Sequence, residues 1–231
     1  MTNPSTDKSK SQKVIYDEVG QYADNGLAKV MMIVSKTERY GFIDLSGKVI
    51  VPVIYESACL FDSNGLAKVR INNKWGFINL LGEEIIPFIY DATEFFREGL
   101  LKVCQHSKWG FVNAKGKVIV PLQYDWAWEF SEGLAIVRKS DKYGAINRNG
   151  EEIVPCVYTF MKPYKNGLSA TKQGQKWGYV NAQGTLQIPF TYDDAWSFKN
   201  SIAQVRIGIE FQTIGLKGET FDLTLAIKLL Q

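Results

Sequence analysis

An aromatic–glycine pair returns through this chain at Tyr40-Gly41, Trp75-Gly76, Trp109-Gly110, Tyr143-Gly144 and Trp177-Gly178, in steps of 35, 34, 34 and 34 residues. A fixed period of that length marks stacked supersecondary units, so it limits the fold more than any other feature. Other positions keep phase with it. Twelve residues after the aromatics stand Pro52, Pro87, Pro121, Pro155 and Pro189, and three further on Tyr55, Tyr90, Tyr124, Tyr158 and Tyr192. A Gly-Leu step precedes most of the aromatics by ten residues, at Gly65, Gly99, Gly133 and Gly167. Gly26 leads its aromatic by fourteen, which gives the first copy a four-residue insertion. Tyr16 opens the first of six units. In the sixth, Phe211-Gln212 replaces the aromatic–glycine pair and Leu223 the proline, while Gly218 keeps the register.

One unit reads as three strands. In Leu66 to Ile71, Ala67, Val69 and Ile71 alternate with Leu66, Lys68 and Arg70, the period of a half-buried antiparallel strand. Asn72-Asn73 turn the chain into Trp75 to Asn79. Asn79 to Gly82, with counterparts at Asp44, Asn113, Asn147 and Asn181, suits a type I turn closed by a positive-φ glycine. The third strand, Glu84 to Ile86, is expected to end at Pro87, which has no N–H to donate. Tyr90-Asp91 then begins a link to the next unit. The glycine beside each aromatic implies a close approach by a ring or a neighbouring backbone.

A single unit cannot bury its own apolar face, so successive units must dock on one another. The expected fold is all-β: tandem three-stranded repeats of about 34 residues, stacked as an open solenoid or superhelical array. The alternative is a closed propeller-like ring, whose four-stranded blades usually need about 40–45 residues. The expected division is a flexible polar tail over residues 1–13, six repeats over 14–222 and a capping strand over 223–231.

The strings KWGFIN at 74–79, KWGFVNAKGKVIVP at 108–121 and KWGYVNAQG at 176–184 resemble the WG-repeat (KWG-repeat) family, found in many bacterial proteins. The resemblance covers about residues 14–220. It departs from the pattern at Tyr40, Tyr143 and the last unit. It implies tandem β repeats that serve as accessory or interaction regions, with no shared catalytic residues and no cofactor.

Composition narrows the function. Lys plus Arg exceed Asp plus Glu by only 27 to 24, which argues against a nucleic-acid binder driven by bulk charge. One histidine and three cysteines leave little for a metal site. No long apolar run or secretory leader stands out, so a cytoplasmic, membrane-free protein is expected. Cys59, Cys104 and Cys156 read as small buried or half-buried hydrophobes in a reducing compartment. Strand alternation places His106 on the face of Cys104 without making a dyad.

Cations recur in phase: Arg39, Lys74, Lys108, Lys142 and Lys176 before the aromatics, Lys29, Lys68 and Lys102 in the preceding strand, and Arg70, Arg138, Lys172 and Arg206 further along it. Stacking aligns these cations into rows that would form a basic stripe for an acidic partner. The alternative is a solvated face neutralised by linker acids such as Asp91, Glu94, Glu98, Asp125, Glu129 and Glu132. Those carboxylates recur symmetrically, as turn residues do, which speaks against paired-carboxylate hydrolysis. Trp126 and Trp128 break the symmetry, which makes them binding candidates alongside Arg70, Arg138, Lys172 and Arg206. The expected function is a non-enzymatic protein-interaction scaffold without cofactors. The rival is a module that binds a glycan or cell-wall polymer through repeated aromatics.

Overall fold

The computed structural model describes residues 15–221; the expected tail over 1–13 and capping strand over 223–231 lie outside the described residues. Among the latter there is no helix, hence none long and apolar enough to cross a membrane. Residues 15–73 with 77–84 form one compact unit, and 74–76 with 85–221 a second.

The first unit contains a four-stranded antiparallel sheet of Glu18–Tyr22, Leu27–Val34, Thr37–Asp44 and Val49–Tyr55. The four-residue insertion lengthens its central hairpin, whose strands have 8 residues each, paired from Leu27↔Asp44 to Val34↔Thr37. Ala28, Val30 and Ile43 form its core, and the Phe42 and Phe61 rings lie 4.7 Å apart. Strands Ser57–Ala58, Ala67–Ile71, Lys74–Ile78 and Glu84–Tyr90 repeat the same order, and the division between the units runs through the last two.

The second unit holds four complete sheets. Sheet I is Ala92–Thr93, Leu100–Gln105, Lys108–Asn113 and Val118–Tyr124. Sheet II is Trp126–Ala127, Leu134–Lys139, Lys142–Asn147 and Glu152–Tyr158. Sheet III is Phe160–Met161, Leu168–Gln173, Lys176–Asn181 and Leu186–Tyr192. Sheet IV is Asp194–Ala195, Ile202–Ile207, Glu210–Gly215 and Thr220–Phe221. Each is an antiparallel meander with its strands in chain order.

The repeat therefore carries four strands, one more than expected. The extra strand has two residues and follows the phased tyrosine directly: Tyr124 ends sheet I and Trp126 begins sheet II. Two residues are too few to show alternation, and so the sequence reads there as a link. This brevity fits four strands into 34 residues.

The last strand of a sheet also runs through its proline. Trp109 pairs with Tyr124 and Phe111 with Val120, so the partner strand gains residues between these pairs. Pro121 lies in that bulge, where a missing N–H breaks no ladder bond. The bulge explains the neighbouring glycine. A Cβ on Gly110 would sit 2.5 Å from the Val120 carbonyl oxygen, and one on Gly144 2.4 Å from that of Val154.

Both turn types are as the residues dictate. Asn113 Oδ1 accepts from Lys115 N and Lys117 N, both at 3.0 Å, and Gly116 has φ +75°. The two-residue hairpin turns of sheets I and II place both central residues at positive φ, His106-Ser107 and Ser140-Asp141, the geometry that matches strand twist, whereas in sheets III and IV positive φ falls on Gly174 and Gly208 alone.

Successive sheets bury one another's apolar faces, as the period demanded. Phe111, Val120 and Tyr124 of sheet I share a cluster with Ala127, Phe130, Ala135 and Val137 of repeat II. Similar clusters join II to III and III to IV. The ring after each short strand reaches back to the preceding sheet: Phe130 to Phe111 at 4.8 Å, and Phe198 to Tyr179 at 4.9 Å. Edge-to-face pairs at such distances add about 0.5–1.5 kcal/mol beyond burial.

Candidate functional site

Beside the two-residue turns, one row of directly opposed residues crosses each sheet. In sheet I it is Ala92, Cys104, Trp109 and Tyr124. In sheet II it is Trp126, Arg138, Tyr143 and Tyr158, and in sheet III Phe160, Lys172, Trp177 and Tyr192. In sheet IV it is Asp194, Arg206 and Phe211. Directly opposed residues share a face. Arg138, Lys172 and Arg206 thus occupy equivalent positions, each between the short strand and the phased aromatic. Arg70 faces Ser57 in the first unit in the same way.

The rows join into a track of rings along the second unit. Trp109 and Trp126 lie 5.3 Å apart, Trp126 and Trp128 6.2 Å, Trp128 and Phe160 5.9 Å, and Phe160 and Trp177 5.9 Å. Tyr143 contacts both Trp128 and Phe160. The interplanar angles of these four contacts run from 66° to 86°, so edges meet faces. Trp126 is 40% exposed, whereas Trp177 is 8% exposed and Trp109 half-buried. Of the two symmetry-breaking tryptophans Trp126 is exposed and Trp128 half-buried, and Trp196 in the last repeat is as exposed as Trp126.

Lysines enter this track in ways the sequence conceals. Lys102, expected on a solvated stripe, is buried; its Nζ lies 4.9 Å from the Trp109 ring, 5.5 Å from Trp126 and 3.7 Å from Glu129. The strand carrying it is covered by the next repeat. Lys162 was missed. Its Nζ donates to the Ala195 carbonyl at 2.8 Å and lies 4.9 Å from Trp177 and 5.6 Å from Trp196. Burial holds its pKa below the ordinary lysine value. The available signal was its place 34 residues after Trp128.

The phased cations are engaged locally. Arg70 reaches Asn73 at 2.8 Å and Glu56 at 3.7 Å, Arg138 lies 4.0 Å from Asp141, and Arg206 donates to the Gly208 carbonyl at 2.7 Å. Lys172 stands 5.8 Å from the Trp177 ring. Three of the cations before the aromatics, Lys74, Lys108 and Lys176, are each tied by a linker aspartate. Asp125 takes Lys108 at 2.5 Å with one oxygen and the Ser140 N–H with the other, so it joins sheet I to the hairpin turn of sheet II. Asp91 does the same with Lys74 and His106, and Asp193 with Lys176 and Gly208. The lysine hydrogen bond leads in holding all three carboxyls below the usual range.

A second ladder runs through the Gly-Leu turns. Glu98 accepts from Gly133 N, Glu132 from Asn166 N and Gly167 N, and Asn166 from Ser201 N, each one repeat onward. The recurring acids are therefore turn and clamp residues. His106 sits in a turn at φ +50° rather than on a strand beside Cys104. Burial raises the Cys104 thiol pKa and pushes that of Cys156 up to about 11, the setting of an inert thiol.

Strand order, clamps and docked rings together define an all-β tandem-repeat protein. The WG containing repeat matches five times in succession, over residues 40–75, 75–109, 109–143, 143–177 and 177–208. The chain belongs to the WG-repeat family. No curated protein matches it. Among solved structures it is similar to Hsv2p of Kluyveromyces lactis, at 12% identity over 89% of this chain and 76% of that one, with a TM-score of 0.43. A eukaryotic initiation factor is 12% identical over 84% of this chain and 61% of its own, with a TM-score of 0.48. Overlaps this loose leave the functions of those proteins without bearing on this one.

Proposed function

We propose that this protein is a non-enzymatic, cytoplasmic scaffold whose second unit presents the aromatic–cation track to a protein partner carrying acidic groups. The observation that carries this reading is the run from Trp109 to Phe160 through Trp126 and Trp128, flanked by Arg138 and Lys172. Tryptophan, tyrosine and arginine dominate interface hot spots because they combine large rigid area with directional polar ends. Its scaffold character is supported by the use of the phased carboxylates in turns and clamps.

The polymer reading is the weaker one. A sugar ring needs an open aromatic face, and of the repeated tryptophans Trp109 is half-buried and Trp177 buried. The test is affinity capture with the full chain. A double variant, Trp126→Ala with Arg138→Glu, is expected to lose a partner that wild type retains, and that partner should elute at moderate salt. Equal capture by both proteins rejects the track as the interface. Retention of wild type on an immobilised polysaccharide, lost in the double variant, transfers the track to the polymer reading.

A further inference from the structure

Beside the track, and sharing Trp128 with it, a groove of about 390 Å³ opens in the second unit. Its walls are Arg97, Trp128, Phe130, Ser131, Pro163 and Lys165. Two of these residues break the repeat together. Arg97, Ser131, Lys165 and Lys199 are equivalent, since each makes the same isolated bridge, to Leu100, Leu134, Leu168 and Ile202. Three are long cations, and the one in the middle repeat is a serine. Trp128 likewise stands where the next repeat has Lys162. The short side chain leaves room between two cations, and the indole supplies an apolar wall. The fold does not require the serine, since the equivalent cations make the same bridge; Trp128, which recurs as Trp196 two repeats on, also packs on Tyr143 and Phe160.

The charges show what fits. Glu129 also borders the groove, but its carboxylate lies 3.7 Å from the buried Lys102 ammonium. Among the described residues neither Arg97 nor Lys165 pairs with a carboxylate, and both are exposed. The groove is thus apolar between two unneutralised cations. Its one hydroxyl is occupied: Ser131 Oγ donates to the Tyr164 carbonyl at 3.1 Å and lies 3.4 Å from Lys165 Nζ. A carbohydrate would find few directional groups for its hydroxyls.

We infer that this groove takes an acidic peptide segment, with carboxylates on Arg97 and Lys165 and an apolar side chain against Trp128 and Pro163. The inference rests on the scaffold reading and adds a second contact for the same class of partner.

The probe is a fluorescein-labelled octapeptide alternating glutamate with leucine, followed by anisotropy on the full chain. Binding is expected to saturate and to weaken about tenfold when glutamine replaces glutamate, as loss of close charge pairs implies. The decisive variant is Ser131→Lys, which copies Lys165 of the next repeat and so suits the fold; its thermal melt should match wild type. It fills the groove while adding a positive charge. If the groove holds the peptide, affinity falls about tenfold or more, whereas diffuse attraction would strengthen with the added charge. Unchanged or tighter binding by Ser131→Lys, or equal binding of the glutamine peptide, overturns the proposal. Displacement of the peptide by polygalacturonate at matched charge concentration overturns it in favour of a polymer site. If the octapeptide fails to bind while capture through Trp126 and Arg138 persists, the groove inference falls and the scaffold reading stands. If that capture also fails, the scaffold reading falls in its own right.

Discussion

The seam between sheets II and III and the seam between III and IV use the same backbone with different fillings. At the later seam the Lys162 ammonium lies over Trp177 and Trp196 and caps the Ala195 carbonyl. At the earlier one the equivalent residue is Trp128, packed on Tyr143 and Phe160. The inner contacts differ too. Phe198 meets Tyr179 at the later seam, whereas Ala145 stands at the equivalent place in sheet II and Tyr164 takes the place of Phe198, its hydroxyl donating to Asn181 O at 3.2 Å. Tyr164 adds only a hydroxyl to the phenylalanine it replaces, so most of the missing ring volume is made up by Ile136 and Met161, which stand where the later seam has Ala170 and Ala195. At the rim, residues change singly, and there the surface acquires its individual character.

The largest effect should come from emptying a seam. Phe130→Ala removes a ring that is 4% exposed and is expected to cost about 3–5 kcal/mol in urea unfolding. A loss under about 1 kcal/mol would mean that sheets I and II do not depend on each other's rings. Overfilling ranks next. Gly144→Ala places a Cβ 2.4 Å from a backbone carbonyl oxygen, with an expected penalty of about 1–3 kcal/mol, whereas Gly133→Ala meets no atom within 4 Å and is strained only by its φ of +79°.

The comparison itself is sharpened by Lys162→Met, which keeps the apolar stem and removes the ammonium. A cost of about 1–2 kcal/mol identifies the ammonium's contacts with the two rings and the Ala195 carbonyl as stabilising together, and a gain would show that desolvating the charge outweighs them.

The smallest effect is electrostatic. Asp125 has a carboxyl pKa lowered mainly by Lys108, so its contribution is present above the unfolded value and disappears as pH falls through the lower folded one. In sheet III the same place is held by Thr159, whose hydroxyl accepts from Gly174 N at 3.2 Å and does not titrate in this range. Hydrogen exchange from pH 5 down to about 2.5 should lower the protection factor of the Ser140 amide before that of Gly174. Parallel loss at both turns would remove the aspartate clamp from the account.

Much of this was legible from spacing alone. The positive-φ glycines at 82, 116, 150 and 184, the Asx turns and the close approach at each aromatic–glycine pair follow from residue chemistry at fixed offsets. The two-residue strand was not legible, since Ala92-Thr93 and Trp126-Ala127 share no pattern of polarity. Pro121 misled because a bulge admits a proline that a regular ladder would reject. Of the candidate site residues, Arg138, Lys172 and Arg206 do align, but their local partners depend on turn geometry that the sequence does not reveal. The groove at Ser131 required knowing which residues are equivalent in space as well as in phase.

The single residue between Tyr124 and Trp126 has a mechanical consequence. With no slack between one sheet's final strand and the first strand of the following sheet, a pull on either end of the second unit loads adjoining sheets in series. Rupture of one sheet peels away the opening strand of its neighbour, so extension should advance repeat by repeat. Each step would release about 34 residues, or roughly 110–120 Å of contour, which a single-molecule stretching trace would record as an evenly spaced sawtooth.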